Sequence, residues 1–212
     1  AVSVYATGVT ATENAQTIDA QSTDAQALTP EEQKAQELQQ VYDMPVESNG
    51  YKDWPQGPGT YGEAGIVMEV GTGAILYAKN IDAHEYPASI TKVLTALVAL
   101  ENGQLTDNVT FSHDSVAFLQ RGDSSVGLKE GNVITLDQAM HAMLLASANE
   151  AAYAIGESVG VNAGHDYNWF IEQMNSRCKE LGGENSNFAN TNGLHDPNHY
   201  TCARDMALIG RE

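Results

Sequence analysis

The sequence predicts an α/β (α+β) fold in which a helical cluster packs on an antiparallel sheet. Three observations lead there. Short apolar stretches around a glycine turn open the folding part of the chain, longer helical patterns follow them, and no internal repeat is present. That order suits helices laid on a hairpin-built sheet better than alternating βαβ units. With 212 residues, 42% of them apolar, the chain can build a real core. Its 28 acidic and 10 basic side chains leave a formal charge of -18, which opposes binding to nucleic acid or anionic lipid. No apolar run approaches the ~20 residues of a membrane span.

Residues 1 to about 60 form a segment of their own, rich in Ala, Thr, Gln, Asp and Glu, which buries too little to fold alone. The domain is therefore placed at residues 61–212. Ala1-Val2-Ser3-Val4-Tyr5-Ala6 has Val4 and Ala6 spaced like the last positions before a signal-peptidase cut, so it reads as an export-signal remnant; an ordinary terminus is the plainer alternative. Leu28 to Tyr42 suits a solvated helix, with Thr29 as N-cap, Pro30 at the first position and Glu31 and Glu32 in the first turn. Pro55, Gly57, Pro58, Gly59 and Gly62 then read as a linker.

From Ala64 to Asn80 two apolar stretches flank Gly71-Thr72-Gly73, the pattern of a hairpin. Ala88 to Leu100 is apolar nearly all round and ends before Gly103, which predicts a buried central helix. Thr135-Leu136-Asp137-Gln138 is a capping box for a helix to about Leu145, and a second helical pattern runs from Glu150 to about Val159 after a break at Ser147. Asp166 to Leu181, closed by Gly182-Gly183, gives another helix, and Cys202 begins a last one.

Ser89-Ile90-Thr91-Lys92 places a hydroxyl and an amine three residues apart, on one face at the start of that apolar helix. Desolvation lowers a lysine's pKa, and a neutral amine beside a serine can take its proton. The helix start adds N–H groups suited to an oxyanion. Spacing alone is worthless, because Ser176 and Lys179 repeat it on a charged amphipathic helix where both can face water. Position separates the two pairs, since Ser89 follows Pro87 at the first turn of the most apolar helix. Ser147-Ala148-Asn149 adds a hydroxyl and an amide at the break between two helices; a plain kink with caps is the alternative reading there.

These elements, with their surroundings, carry a resemblance. Residues 64–212 resemble the serine D-alanyl-D-alanine carboxypeptidases of the low-molecular-mass penicillin-binding kind, peptidase family S11. The match runs through Glu69-Val70-Gly71-Thr72-Gly73, Pro87-Ala88-Ser89-Ile90-Thr91-Lys92 and Ser147-Ala148-Asn149-Glu150-Ala151-Ala152. It continues in Phe188-Ala189-Asn190-Thr191-Asn192-Gly193-Leu194-His195 and Tyr200-Thr201-Cys202-Ala203-Arg204-Asp205-Met206-Ala207. It implies a β-lactamase/transpeptidase-like fold, with Ser89 as nucleophile, Lys92 as general base, Ser147 as proton relay and Asn149 as substrate-binding amide. The implied substrate is a peptidoglycan stem peptide ending in D-Ala-D-Ala, and β-lactams are the implied inhibitors. No cofactor is implied. An exported protein acting at the cell wall and in cell shape is, with any membrane anchor outside these residues.

Glycine often stands in the family where Ala148 does, and aspartate where Glu150 does. The larger departure is the Lys-Thr-Gly element, which these residues lack. By the resemblance it lies on a strand several dozen residues beyond Glu212, so the sheet is expected to be incomplete here and labelling by penicillin weak or absent in these residues alone.

His195 and His199 sit in a Pro/Gly loop without the intervening glutamate of a zinc protease, so no metal is expected. Cys178 and Cys202 could pair in an exported protein, or remain separate buried thiols. A class A-like β-lactamase is the nearest enzymatic rival; Glu184 is the candidate for its water-activating glutamate, although Glu184-Asn185-Ser186-Asn187 does not reproduce that family's pattern. A non-catalytic penicillin-binding or wall-associated module is the rival of another class.

Overall fold

The computed structural model describes residues 28–212, so the expected export-signal remnant lies outside the described residues. Helix α1 (Pro30–Tyr42) starts as its sequence dictates: the Thr29 hydroxyl accepts from the Glu32 N–H and the Glu32 carboxylate accepts from the Thr29 N–H. It buries no residue, as a polar-all-round helix should not.

The stretch after α1 differs from the expected free linker. It lies along the hairpin formed by β1 (Gly65–Met68) and β2 (Ile75–Lys79), which pair antiparallel with Gly65 opposite Lys79. Lys79, fully buried, donates to the carbonyls of Val41 at 2.6 Å, Thr60 at 2.7 Å and Gly62 at 2.9 Å. On the outer edge of β2, the Ala78 N–H donates to Ser48 Oγ, the Asn80 N–H to Glu47 Oε1, and Trp54 Nε1 to the Leu76 carbonyl. Side chains thus occupy an edge that would otherwise pair with another strand. Hydrophobic patterning could not foretell this, because the attachment is made by hydrogen bonds.

A 3₁₀ turn at Ala88–Ile90 leads into α2 (Thr91–Asn102), closed by Gly103. The expectation of burial on most faces holds, with a narrow exposed strip. Thr91, Lys92, Leu94, Thr95, Ala96, Val98 and Ala99 are buried, whereas Ile90, Val93 and Leu100 remain 49%, 39% and 51% exposed. The buried surface carries Leu94 and Val98 as well as the polar Thr91, Lys92 and Thr95, and these three polar residues grip the segment 191–199.

A second small sheet, β3 (Asn108–Thr110) with β4 (Val133–Thr135), and the short α3 (His113–Ala117) went unforeseen. Three-residue strands are too short to show alternation. The remaining helices follow the reading closely: α4 (Leu136–Leu145) with its Thr135–Gln138 capping box, α5 (Asn149–Asn162), α6 (Tyr167–Glu180) and α7 (Ala203–Arg211). The core lies where α2, α4, α5 and α6 meet, around Leu94, Val98, Leu136, Met143, Ile155, Phe170 and Met174. Among the described residues each sheet has two strands, so the main sheet is short, as the sequence led one to expect.

The possible Cys178–Cys202 disulfide is not formed; both are free buried thiols. Cys202 Sγ accepts from the Asp205 N–H at 3.4 Å as the N-cap of α7. Burial raises both thiols to about 11.

Candidate active site

Lys92 reaches the site from the first turn of α2, with only 2% of its surface exposed. Its amine has three neighbours: Ser89 Oγ at 3.1 Å, Asn149 Oδ1 at 2.8 Å and the Asn192 carbonyl at 2.6 Å. A neutral amine has two N–H groups and one lone pair. The two carbonyl oxygens can only accept, so they claim both N–H groups, and the lone pair is left facing the Ser89 hydroxyl. Burial lowers the Lys92 pKa to about 8, opposed by the negative charge of Glu150, which brings the neutral form within reach of ordinary pH.

Ser89 is exposed and stands on the 3₁₀ turn. Ser147 Oγ lies 2.8 Å from Ser89 Oγ, so the nucleophile candidate touches an amine on one side and a hydroxyl on the other. Chain geometry at both serines is unusual: Ala88 has φ 48° and Ser147 φ 54°, left-handed values that cost a non-glycine residue about 1–2 kcal/mol. Such outliers persist where surrounding structure over-determines them. At Ala88 the partner is Gly193, itself at φ +85°; a Cβ there would fall 1.8 Å from the Ala88 carbonyl oxygen. Close backbone contact therefore presses the loop 190–193 onto the turn that presents Ser89.

Asn149, 4% exposed, opens α5, and its N–H donates to the Ser124 carbonyl at 2.9 Å. Its Oδ1 is taken by Lys92, which leaves Nδ2 as the side chain's uncommitted donor. Glu150 is fully buried, and its Oε1 accepts from Ser125 Oγ, the Val126 N–H and the Gly127 N–H. It thereby ties the loop before β4 to the start of α5.

Sequence reasoning assigned no role to Asn192, whose contribution is a backbone carbonyl and leaves no side-chain signal. It also set His199 aside. The ring lies off the reacting atoms but one residue from Lys92: Nδ1 accepts from the Ala189 N–H at 3.0 Å, so Nε2 carries the proton and donates to Thr91 Oγ1 at 2.8 Å. Thr95 Oγ1 donates to the Thr191 carbonyl at 2.7 Å. Thr91, Lys92 and Thr95 thus share one helix face, and all three bind the segment 189–199. His195 packs its ring edge-on to Tyr86. Ser176 and Lys179, on α6, make no hydrogen bond to the Ser89 cluster, and Glu184 is exposed on the loop after α6.

The D-alanyl-D-alanine carboxypeptidase family, Peptidase S11, matches residues 55–212. The chain is similar to D-alanyl-D-alanine carboxypeptidase DacA of Haemophilus influenzae, 35% identical over 150 residues, covering 68% of this chain and 37% of that protein. With DacF of Bacillus subtilis it shares 33% identity over 155 residues, 71% of this chain and 38% of the relative. Penicillin binding protein 5 from Haemophilus influenzae superposes with a TM-score of 0.66 at 32% identity, covering 74% of this chain and 46% of that one. The chain therefore spans about two fifths of the length of these curated relatives.

Proposed function

The chain belongs to the serine D-alanyl-D-alanine carboxypeptidases of peptidase family S11, and from that premise we propose that the protein removes the terminal D-alanine from peptidoglycan stem peptides through an acyl-enzyme on Ser89. The observation that carries the proposal is the double contact of Ser89 Oγ, with the Lys92 amine at 3.1 Å and the Ser147 hydroxyl at 2.8 Å.

Neutral Lys92 takes the Ser89 proton as Oγ attacks the carbonyl between the two D-alanines. The Ser89 N–H faces the developing oxyanion. As the tetrahedral species collapses, the proton passes by way of Ser147 Oγ to the departing amine, and D-alanine leaves. Asn149 Nδ2 holds the peptide backbone. Water then attacks the Ser89 ester, giving a proton to Lys92, which passes it to Ser89 Oγ as the ester C–O bond breaks and the shortened peptide leaves. A β-lactam mimics the dipeptide and acylates the same oxygen; its ring fragment stays tethered and slows that water. Action on peptidoglycan carries with it export to the cell wall, where the protein would trim stem peptides and so act in cell shape.

Treating the full-length protein with a labelled penicillin and mapping the adduct tests this. Label is expected on Ser89 and absent from Ser89→Ala; label on another residue, or undiminished labelling of that variant, refutes the mechanism. Rapid penicillin turnover instead of a long-lived adduct would favour the β-lactamase reading, against which the exposed position of Glu184 counts. No labelling at all would favour a non-catalytic module.

A further inference from the structure

The proposed reaction leaves a buried histidine without a task. His199 is 1% exposed, and its ring stands between two parts of the chain that meet at the Lys92 amine. On one side Nδ1 accepts from the Ala189 N–H at 3.0 Å; on the other Nε2 faces Thr91 Oγ1 at 2.8 Å. Ala189 lies three residues before Asn192, whose carbonyl holds the amine, and Thr91 immediately precedes Lys92. The ring has a fixed mounting. Antiparallel bonds of 2.9 and 3.0 Å between Asn187 and Tyr200 hold the backbone next to it, and the His199 N–H donates to the Asp196 carbonyl at 2.9 Å. Phe188 packs edge-on to the ring at 5.7 Å. A backbone N–H only donates, so Nδ1 must offer its lone pair and Nε2 its proton. Burial lowers the ring's pKa to about 4, opposed by Asp196, so this neutral tautomer persists at ordinary pH.

We propose that His199 is a positioning residue for acylation: as a rigid strut it sets the spacing between α2 and the segment 189–192, and with it the aim of the Lys92 amine at Ser89. The inference rests on the peptidase reading above. Thr95 Oγ1 ties Thr191 directly to α2 at 2.7 Å, so two links bracket Lys92, one at the residue before it and one three residues after. Without the first, the segment is free to pivot about Thr95 and carry the Asn192 carbonyl with it. The margin is small. Lys92 Nζ lies 3.1 Å from Ser89 Oγ, near the long end of the ~2.6–3.2 Å reach of proton transfer. A shift of about half an ångström takes the pair outside it. An apolar side chain of similar size would fill the space and leave the Ala189 N–H and Thr91 Oγ1 unbridged.

Single-turnover labelling of the full-length protein by penicillin tests this, because it yields the acylation rate at saturation, the half-saturating concentration and the final labelled fraction. His199→Leu fills the space without either nitrogen. It should slow acylation about 100-fold, the scale of a small misplacement of a reacting group, with half-saturation and labelled fraction as in the native protein. His199→Gln supplies an acceptor and a donor on one side chain and should bring the rate back to within about tenfold of native. Thr91→Val removes the other end of the bridge and keeps its shape; it should slow acylation in the same way, and adding it to His199→Leu should cost little more. A native acylation rate in His199→Leu or Thr91→Val overturns the proposal. So does a glutamine variant as slow as the leucine one, or a raised half-saturation at unchanged rate. A smaller labelled fraction reacting at the native rate also overturns it, as the mark of partial unfolding alone. Should His199→Leu yield no folded protein, Thr91→Val decides between the same outcomes. In each of these cases a labelled native protein leaves the peptidase reading standing. A native protein that takes no label removes that reading, and the positioning role with it.

Discussion

Lys92→Met separates what the buried amine does for chemistry from what it costs the fold. Lys92 has a folded pKa of about 8 against an ordinary 10.5. At 1.36 kcal/mol per pH unit that difference is at most about 3.4 kcal/mol, and relaxation of the surroundings around a buried charge brings it to about 2 kcal/mol. The sign follows from proton counting. Between pH 8 and 10.5 the unfolded chain holds the proton that the folded one has released, so stability rises with pH across that window. Below pH 8 both states are protonated, and the full cost of a buried ammonium is present. Methionine cannot titrate, but it leaves Asn149 Oδ1 and the Asn192 carbonyl without their donor, at about 1–3 kcal/mol each. The variant should therefore be less stable than the native protein, by a margin that widens by about 2 kcal/mol from pH 8 to 10.5. Urea denaturation at half-unit steps reads this. The same pKa sets the acylation rate of the native full-length enzyme, which should climb about tenfold per unit up to pH 8 and then level, while Lys92→Met stays unlabelled. Parallel stability curves for the two proteins, or acylation that falls as pH rises towards 8, would refute the reasoning.

Gly193→Ala should be among the most damaging single-methyl additions. Its Cβ would lie 1.8 Å from the Ala88 carbonyl at a φ of +85°, so we expect a loss of more than about 2 kcal/mol by urea denaturation and a displaced Ser89. His199 has its pKa lowered by burial to about 4; the unfolded chain takes the proton first, so stability should fall as pH drops from about 6.5 to 4, by up to about 3 kcal/mol. His199→Gln should flatten that window in an acid titration of stability. Lys79→Met should release the stretch between α1 and β1, because three backbone carbonyls lose their donor; hydrogen exchange at the Ala78 and Asn80 amides, which donate to Ser48 and Glu47, should quicken while exchange in α5 stays unchanged.

The helices and the hairpin were legible because their signals are local. Thr29 and Thr135 each announce a capping box with the residue three positions on, and Gly103 and Gly182 mark helix ends. The stretch from Val41 to Gly62 was illegible for the opposite reason. Its contacts with Lys79, Ala78 and Asn80 span 17 to 38 residues and use backbone carbonyls or small polar side chains, none of which leaves an apolar period.

At α2 the sequence was legible only in part. A helix apolar nearly all round reads as buried, but hydrophobicity does not say that Thr91, Lys92 and Thr95 go inside with Leu94 and Val98 while Ile90, Val93 and Leu100 keep 39% or more of their surface exposed. In the structure the three polar residues are at most 2% exposed. Hydrophobicity ranks residues by transfer from water, and a polar group can be buried when partners of fixed geometry replace that water. Here the partners are the carbonyls of Thr191 and Asn192 and the ring of His199, a hundred residues away and largely backbone. A motif such as Ser-x-x-Lys therefore names the reacting side chains, while the groups that hold the amine neutral and aimed remain hidden. In Asn192 the informative atom is a carbonyl oxygen common to every residue, and only the left-handed turn at Gly193 beside it hints that the backbone there has been set in a special position.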